Sequence, residues 1–137
     1  MMTATLNLNH SLHNPLNLRY TQDAAWLGLD THEPSRHGLC HFISESYGLR
    51  AALLLLQSCI RHGSLRTPAS VAALRRRDAD SQPHYLKRLC QLANLCPDTV
   101  LSNPNHLDRL VAAMAALESG LNLTPQQVAQ ARRRFGI

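Results

Sequence analysis

The segment SESYGLRAALLLLQSCIRHG, Ser44 to Gly63, decides how this chain folds. Leu49, Ala52, Leu53, Leu56, Cys59 and Ile60 recur at steps of three and four, the spacing of one helical face. Leu54 and Leu55 add apolar surface on the other side, so the segment reads as a central helix packed by neighbours on most faces. Ser44 is its expected N-cap and Gly63 its stop.

Four more helices follow from the same signals. Thr67-Pro68 is a cap followed by proline at the first helical position, opening a short helix to about Arg75 with Val71 and Leu74 inward. Tyr85, Leu86, Leu89, Cys90 and Ala93 mark the next, ended near Asn94. Asn103-Pro104 starts a third, whose stripe of Leu107, Leu110, Val111, Met114 and Leu117 stops at Gly120. Thr124-Pro125-Gln126-Gln127 is a capping box for the last, with Val128 and Ala131 buried.

On the amino-terminal side the reading changes. Residues 1–13 are polar and aperiodic and are expected to form a flexible arm. From Asn14 to Ile43, turn formers (Asn14-Pro15, Gly28, Glu33-Pro34, Gly38) separate short runs, and the alternation in Leu16–Tyr20 allows a short strand. The expected class is mainly α (α+β): one domain over 14–137, about five helices around a central apolar helix, with a small irregular or β-hairpin lobe.

Composition narrows the function. The net charge is +5, with thirteen Arg against one Lys, so the surface should attract phosphate, carboxylate or acidic polymer. The longest apolar run, Ala51 to Leu56, is far short of the roughly 20 residues that span a bilayer, so no membrane partner is expected. The opening MMTATLNLNHSLHN has neither the basic nor the apolar region of a secretory signal, which implies cytoplasmic synthesis. The cysteines show no CxxC pair; His37, Cys40, His41, Cys59 and His62 carry zinc-type atoms but read better as core thiols and surface imidazoles. No metal or cofactor is expected, and no nucleotide-binding glycine motif is present.

Hydrolysis of a sugar polymer needs a carboxylic acid in an enclosed place, usually with a second carboxylate or a positioned water. Glu118, at the end of an apolar helix before Ser119-Gly120, is the first candidate and Glu45, in the first turn of the central helix, the second. The plainer readings are a solvated helix end and a partner of the helix dipole. Two triplets, Arg75, Arg76, Arg77 and Arg132, Arg133, Arg134, are candidates for contacting nucleic acid or a protein partner; each also suits the carboxyl end of a helix.

Asn14-Pro15-x-Asn17-Leu18-Arg19-Tyr20, then Trp26-x-Gly28, then Phe42-x-Ser44-x-x-Tyr47-Gly48-Leu49-Arg50-Ala51, resembles a family of small phage and prophage virion-associated structural proteins, similar to lysozyme-like murein hydrolases. Gly63-Ser64-Leu65-Arg66-Thr67, Tyr85-Leu86 and Glu118-Ser119-Gly120 continue the pattern, so the match spans about residues 14 to 130. The resemblance implies a lysozyme-like fold whose cleft accepts a glycan or peptide. Asn14, Asn17, Arg19, Tyr20, Trp26, Phe42, Tyr47 and Arg50 are then the substrate-binding candidates, with Trp26 and Tyr47 readable equally as core anchors. It also implies peptidoglycan or virion proteins as partners and incorporation into a virion. Where the family carries a Trp-Ala-Pro-Pro-x-Glu-Asn-Asp loop, this chain has Leu74 to Ser81, and no carboxylate precedes Asp23. Peptidoglycan hydrolysis, of glycosidase or lytic transglycosylase type, therefore stays open against murein binding alone. The alternative is a basic module that docks on nucleic acid or a host protein.

Overall fold

The computed structural model describes residues 11–23 and 25–137. Most of the expected arm, residues 1–10, lies outside the described residues; of its remainder, Leu12 is fully buried and its carbonyl accepts from Phe42 N at 3.0 Å. The packed domain thus begins before Asn14. Five helices are present among the described residues: α1 (Glu45–Arg61), α2 (Pro68–Arg75), α3 (Gln82–Ala93), α4 (Pro104–Ser119) and α5 (Pro125–Arg134). A hairpin of β1 (Ser35–Arg36) and β2 (Leu39–Cys40) precedes them. The protein is mainly helical with one small antiparallel sheet.

The helix ends follow local chemistry. Thr67 and Thr124 each accept from the backbone N–H three residues on, and Ser70 and Gln127 return the bond, completing capping boxes. Asn103 accepts from His106 N, and Gly120 closes α4 in the left-handed region at φ 69°. Ser44 occupies the cap position of α1, but its hydroxyl makes no cap bond. Leu74, expected inward, is 46% exposed, because α2 is short and buries only Pro68, Val71 and Ala72.

Helix α4, rather than α1, is the most enclosed. It packs against α1, α3 and α5 and buries Leu107, Leu110, Val111, Ala112, Ala113, Met114 and Ala115. Helix α1 buries Leu49, Ala51, Ala52, Leu53 and Leu56, but leaves Leu54 and Leu55 partly exposed. Among the described residues no helix is long and apolar enough to cross a membrane.

The lobe departs from the expected strand. Asn17 sits at φ 53°, which breaks an extended run, so of Leu16–Tyr20 only Arg19 makes an isolated bridge, to Leu39. The hairpin forms downstream instead, where His37 and Gly38 both take positive φ (53° and 79°), the geometry that matches strand twist in a two-residue turn. Asn14 ties the lobe from inside. Its Nδ2 donates to the Leu18 and Cys40 carbonyls, each at 3.0 Å, while Oδ1 accepts from Leu18 N at 2.9 Å.

Two glycines let this lobe lie on α1. A Cβ at Gly48 would stand 1.9 Å from the His13 carbonyl oxygen and 2.8 Å from Pro15 Cδ; one at Gly28 would stand 2.2 Å from Tyr47 Cγ. The segment around His13–Pro15 therefore crosses α1 in backbone contact, and Tyr47 fills the space over Gly28. Gly48→Ala should cost about 3 kcal/mol, since a backbone carbonyl cannot yield as a side chain would. Urea denaturation followed by Trp26 fluorescence measures this; a loss below about 1 kcal/mol would be incompatible with so close a crossing.

Candidate functional site

Between the lobe and the helices lies a cleft of about 770 Å³, within the size range of small-ligand sites. Its walls are Asn17, Leu18, Arg19, Trp26 and Leu39 from the lobe, Leu55 from α1, Arg75 and Arg76 at the end of α2, and Glu118 from α4. Trp26 and Leu55 pack against the core while part of each stays open.

Glu118 is held on all sides. Its side chain is only 4% exposed. Arg75 clamps the carboxylate with both arms of its fork, Nε donating to Oε2 at 2.8 Å and Nη2 to Oε1. Tyr85 of α3 donates its hydroxyl to Oε2 at 2.9 Å. Arg75 Nη2 also reaches the Leu16 carbonyl at 3.1 Å, and Asn17 Nδ2 donates to the Glu118 main-chain carbonyl at 2.7 Å. Burial opposes the Arg75 charge, but the hydrogen bond and charge of Glu118 outweigh it and hold the guanidinium above its ordinary range. Burial first, and then the Glu118 charge, push the Tyr85 phenol well above its ordinary value.

This geometry bears on catalysis. A general acid must present a proton to the leaving group, whereas both Glu118 oxygens are spent accepting from a guanidinium and a phenol. Among the described residues, Glu118 is the one acidic residue lining the cleft, so no second carboxylate stands beside it there. Glu45 lies on a different cavity, of about 320 Å³, with Ser46, Leu49, Gln127, Gln130, Ala131 and Arg134. The two carboxylates considered from sequence are thus not paired across one cleft.

The binding candidates divide into groups. Asn17, Arg19 and Trp26 line the cleft. Asn14 and Phe42, also candidates for substrate contact, are fully buried and hold the lobe together from within. Tyr20 packs against the core. Tyr47 and Arg50 turn to the carboxyl end of α5, where Phe135 lies 5.4 Å from the Tyr47 ring and 5.9 Å from the Arg50 guanidinium. The cleft adds Arg75, Arg76 and Leu55, and Tyr85 stands behind it. A lone glutamate ending an otherwise apolar stripe was the signal that a cation had to be brought to it.

The arginine triplets are divided in the same way. Arg132 makes a two-armed bridge to the buried Asp108 of α4, at 2.9 and 3.1 Å. Arg76 lies 4.9 Å over the Tyr85 ring, and Arg134 5.1 Å over Phe135. Arg77 and Arg133 are exposed. Each triplet therefore places its first member on a buried carboxylate of α4, and neither stands as a free row of three cations. All four cysteines are unpaired, and burial pushes the Cys40 thiol up. Among the described residues no group of three or more His, Cys, Asp or Glu is placed to hold a metal ion.

Two outcomes follow. A phenol held above 10.0 in the fold keeps its proton when the unfolded chain loses it, so this stabilisation is full below pH 10 and declines as the pH rises further. Denaturation between about pH 9 and pH 11 should show that decline, and Tyr85→Phe should flatten it. Arg132→Met should cost about 3–5 kcal/mol by leaving Asp108 buried and uncompensated, with Asp108→Leu in the same chain recovering most of the loss in thermal or urea melts. No protein-family model matches this chain, and no curated protein matches it.

Proposed function

We propose that this is a phage- or prophage-derived, virion-associated protein of lysozyme-like fold that binds murein in the Trp26 cleft without cleaving it. The observation that carries the reading is the Arg75–Glu118–Tyr85 cluster in the cleft wall, which occupies the one carboxylate that lines the cleft among the described residues and leaves the groove open. Trp26 supplies a flat apolar face of the kind on which sugar rings stack, with Asn17 and Arg19 beside it for polar contacts. The motif resemblance supports the same reading, since its first motifs, Asn14 to Tyr20 and Trp26 to Gly28, lie in the lobe that forms one wall of the cleft.

The alternative, a basic module for nucleic acid or a host protein, draws on the +5 charge but has to work with triplets whose first members are already tied down. A steep salt dependence of gel-shift retention would favour it.

Purified murein sacculi test the proposal. The protein should sediment with them, Trp26→Ala should weaken that association about tenfold, or about 1.4 kcal/mol, and sacculus turbidity should stay constant. Clearing of sacculi that Glu118→Gln abolishes, or no association with sacculi at all, would overturn it.

A further inference from the structure

The charges around the cleft do not balance. Three arginines and one glutamate line it. Arg75 and Glu118 neutralise each other in their two-armed bridge. Among the described residues, neither Arg19 nor Arg76 has an ion-pair partner. Two guanidinium groups are left facing a partly enclosed groove.

One is pre-ordered at its guanidinium and the other is anchored at its backbone. The Arg19 backbone is fixed in the lobe by its bridge to Leu39, and its carbonyl accepts from the Cys40 thiol at 3.5 Å, while its side chain remains exposed. Arg76 rests over the Tyr85 ring and donates Nη1 to the Arg75 carbonyl at 3.3 Å, which restricts its rotamers before any ligand arrives. A fixed guanidinium offers paired N–H donors suited to planar or tetrahedral oxyanions, and pre-ordering lowers the entropy lost on binding. Glu118 would ordinarily repel an anion here, but Arg75 cancels its charge.

We infer that the ligand of this cleft is a sugar bearing an anionic oxygen group, with Trp26 stacking on the ring and Arg19 and Arg76 recognising the anion. The inference rests on the murein-binding reading and narrows it to the acidic part of the polymer. The anion has two chemical sources, a carboxylate such as the free peptide carboxyls of murein, or a phosphate ester on a sugar.

Isothermal titration of the full chain separates these possibilities, using muramyl dipeptide with its peptide carboxylate free, the same compound with that carboxylate amidated, N-acetylglucosamine 6-phosphate, and neutral chitotetraose. The expected result is binding of at least one anionic sugar about tenfold or more tighter than of its uncharged counterparts, weakened by added salt. Whichever anionic sugar binds more tightly identifies the source. Arg19→Gln, at an exposed position, should lower the ratio of anionic to neutral affinity about tenfold, a ratio that is read separately from any change in neutral-sugar binding. Equal affinities for free and amidated dipeptide, with no gain for the phosphate sugar, would overturn the inference while leaving the murein reading intact. Failure of every sugar and of sacculi to bind would overturn both. An anion preference that survives in Arg19→Gln and in Arg76→Gln would also overturn it, and circular dichroism of each variant reports whether the helices are intact.

Discussion

A single buried carboxylate joins four parts of this chain. Glu118 comes from α4, its clamp Arg75 from α2, its phenolic partner Tyr85 from α3, and the lobe meets the cluster through the Leu16 carbonyl and the Asn17 amide. The neighbouring Ser119 hydroxyl adds a bond to the Pro15 carbonyl at 2.8 Å. An apolar cluster of the same volume could be equally stable, because desolvating two charges offsets much of their attraction. What the ion pair adds is direction. A guanidinium fork accepts its carboxylate in few orientations, so α2 and the lobe are set against α4 at one angle, and the cleft wall takes its shape from that angle.

The same device recurs at the other end of α4, where Asp108 receives Arg132 of α5. The most enclosed helix thus carries two buried acids, each answered by an arginine from the last turn of a neighbouring helix. Cations at helix carboxyl ends are favoured locally by the dipole, and here they also serve tertiary packing. Basic character in this protein is therefore partly structural, and only the arginines left over can give the cleft its field.

The helices were legible because their signals are local. Asn103-Pro104, Thr67-Pro68 and Thr124-Pro125 each combine a cap with a pre-set φ, and all three start a helix where expected. The lobe was only half legible. Its turn formers marked it as irregular, but the choice between pairing at Leu16–Tyr20 and at Leu39–Cys40 depended on Asn17 and His37 taking left-handed backbone, which spacing does not reveal. Within the site, Trp26, Arg19 and Glu118 could be singled out as residue types. That Arg75 would cancel Glu118 could not, since the two are 43 residues apart and meet only through the packing of α2 on the core. Phe42 and Asn14 carry binding-type chemistry in sequence, and only burial shows that they serve the lobe's interior.

The bonds that seat the lobe span almost the whole chain: Asn17 reaches Glu118 across 101 residues, and Ser119 reaches Pro15 across 104. The helices, by contrast, pack largely on those nearby in sequence, α2 on α3, α3 on α4 and α4 on α5. Closing so long a span carries a larger entropic cost than packing helices that are neighbours in sequence, so the lobe's contacts have more to offset than those within the helical layer. The groove, walled by residues from Asn17 to Glu118, belongs to the whole tertiary structure.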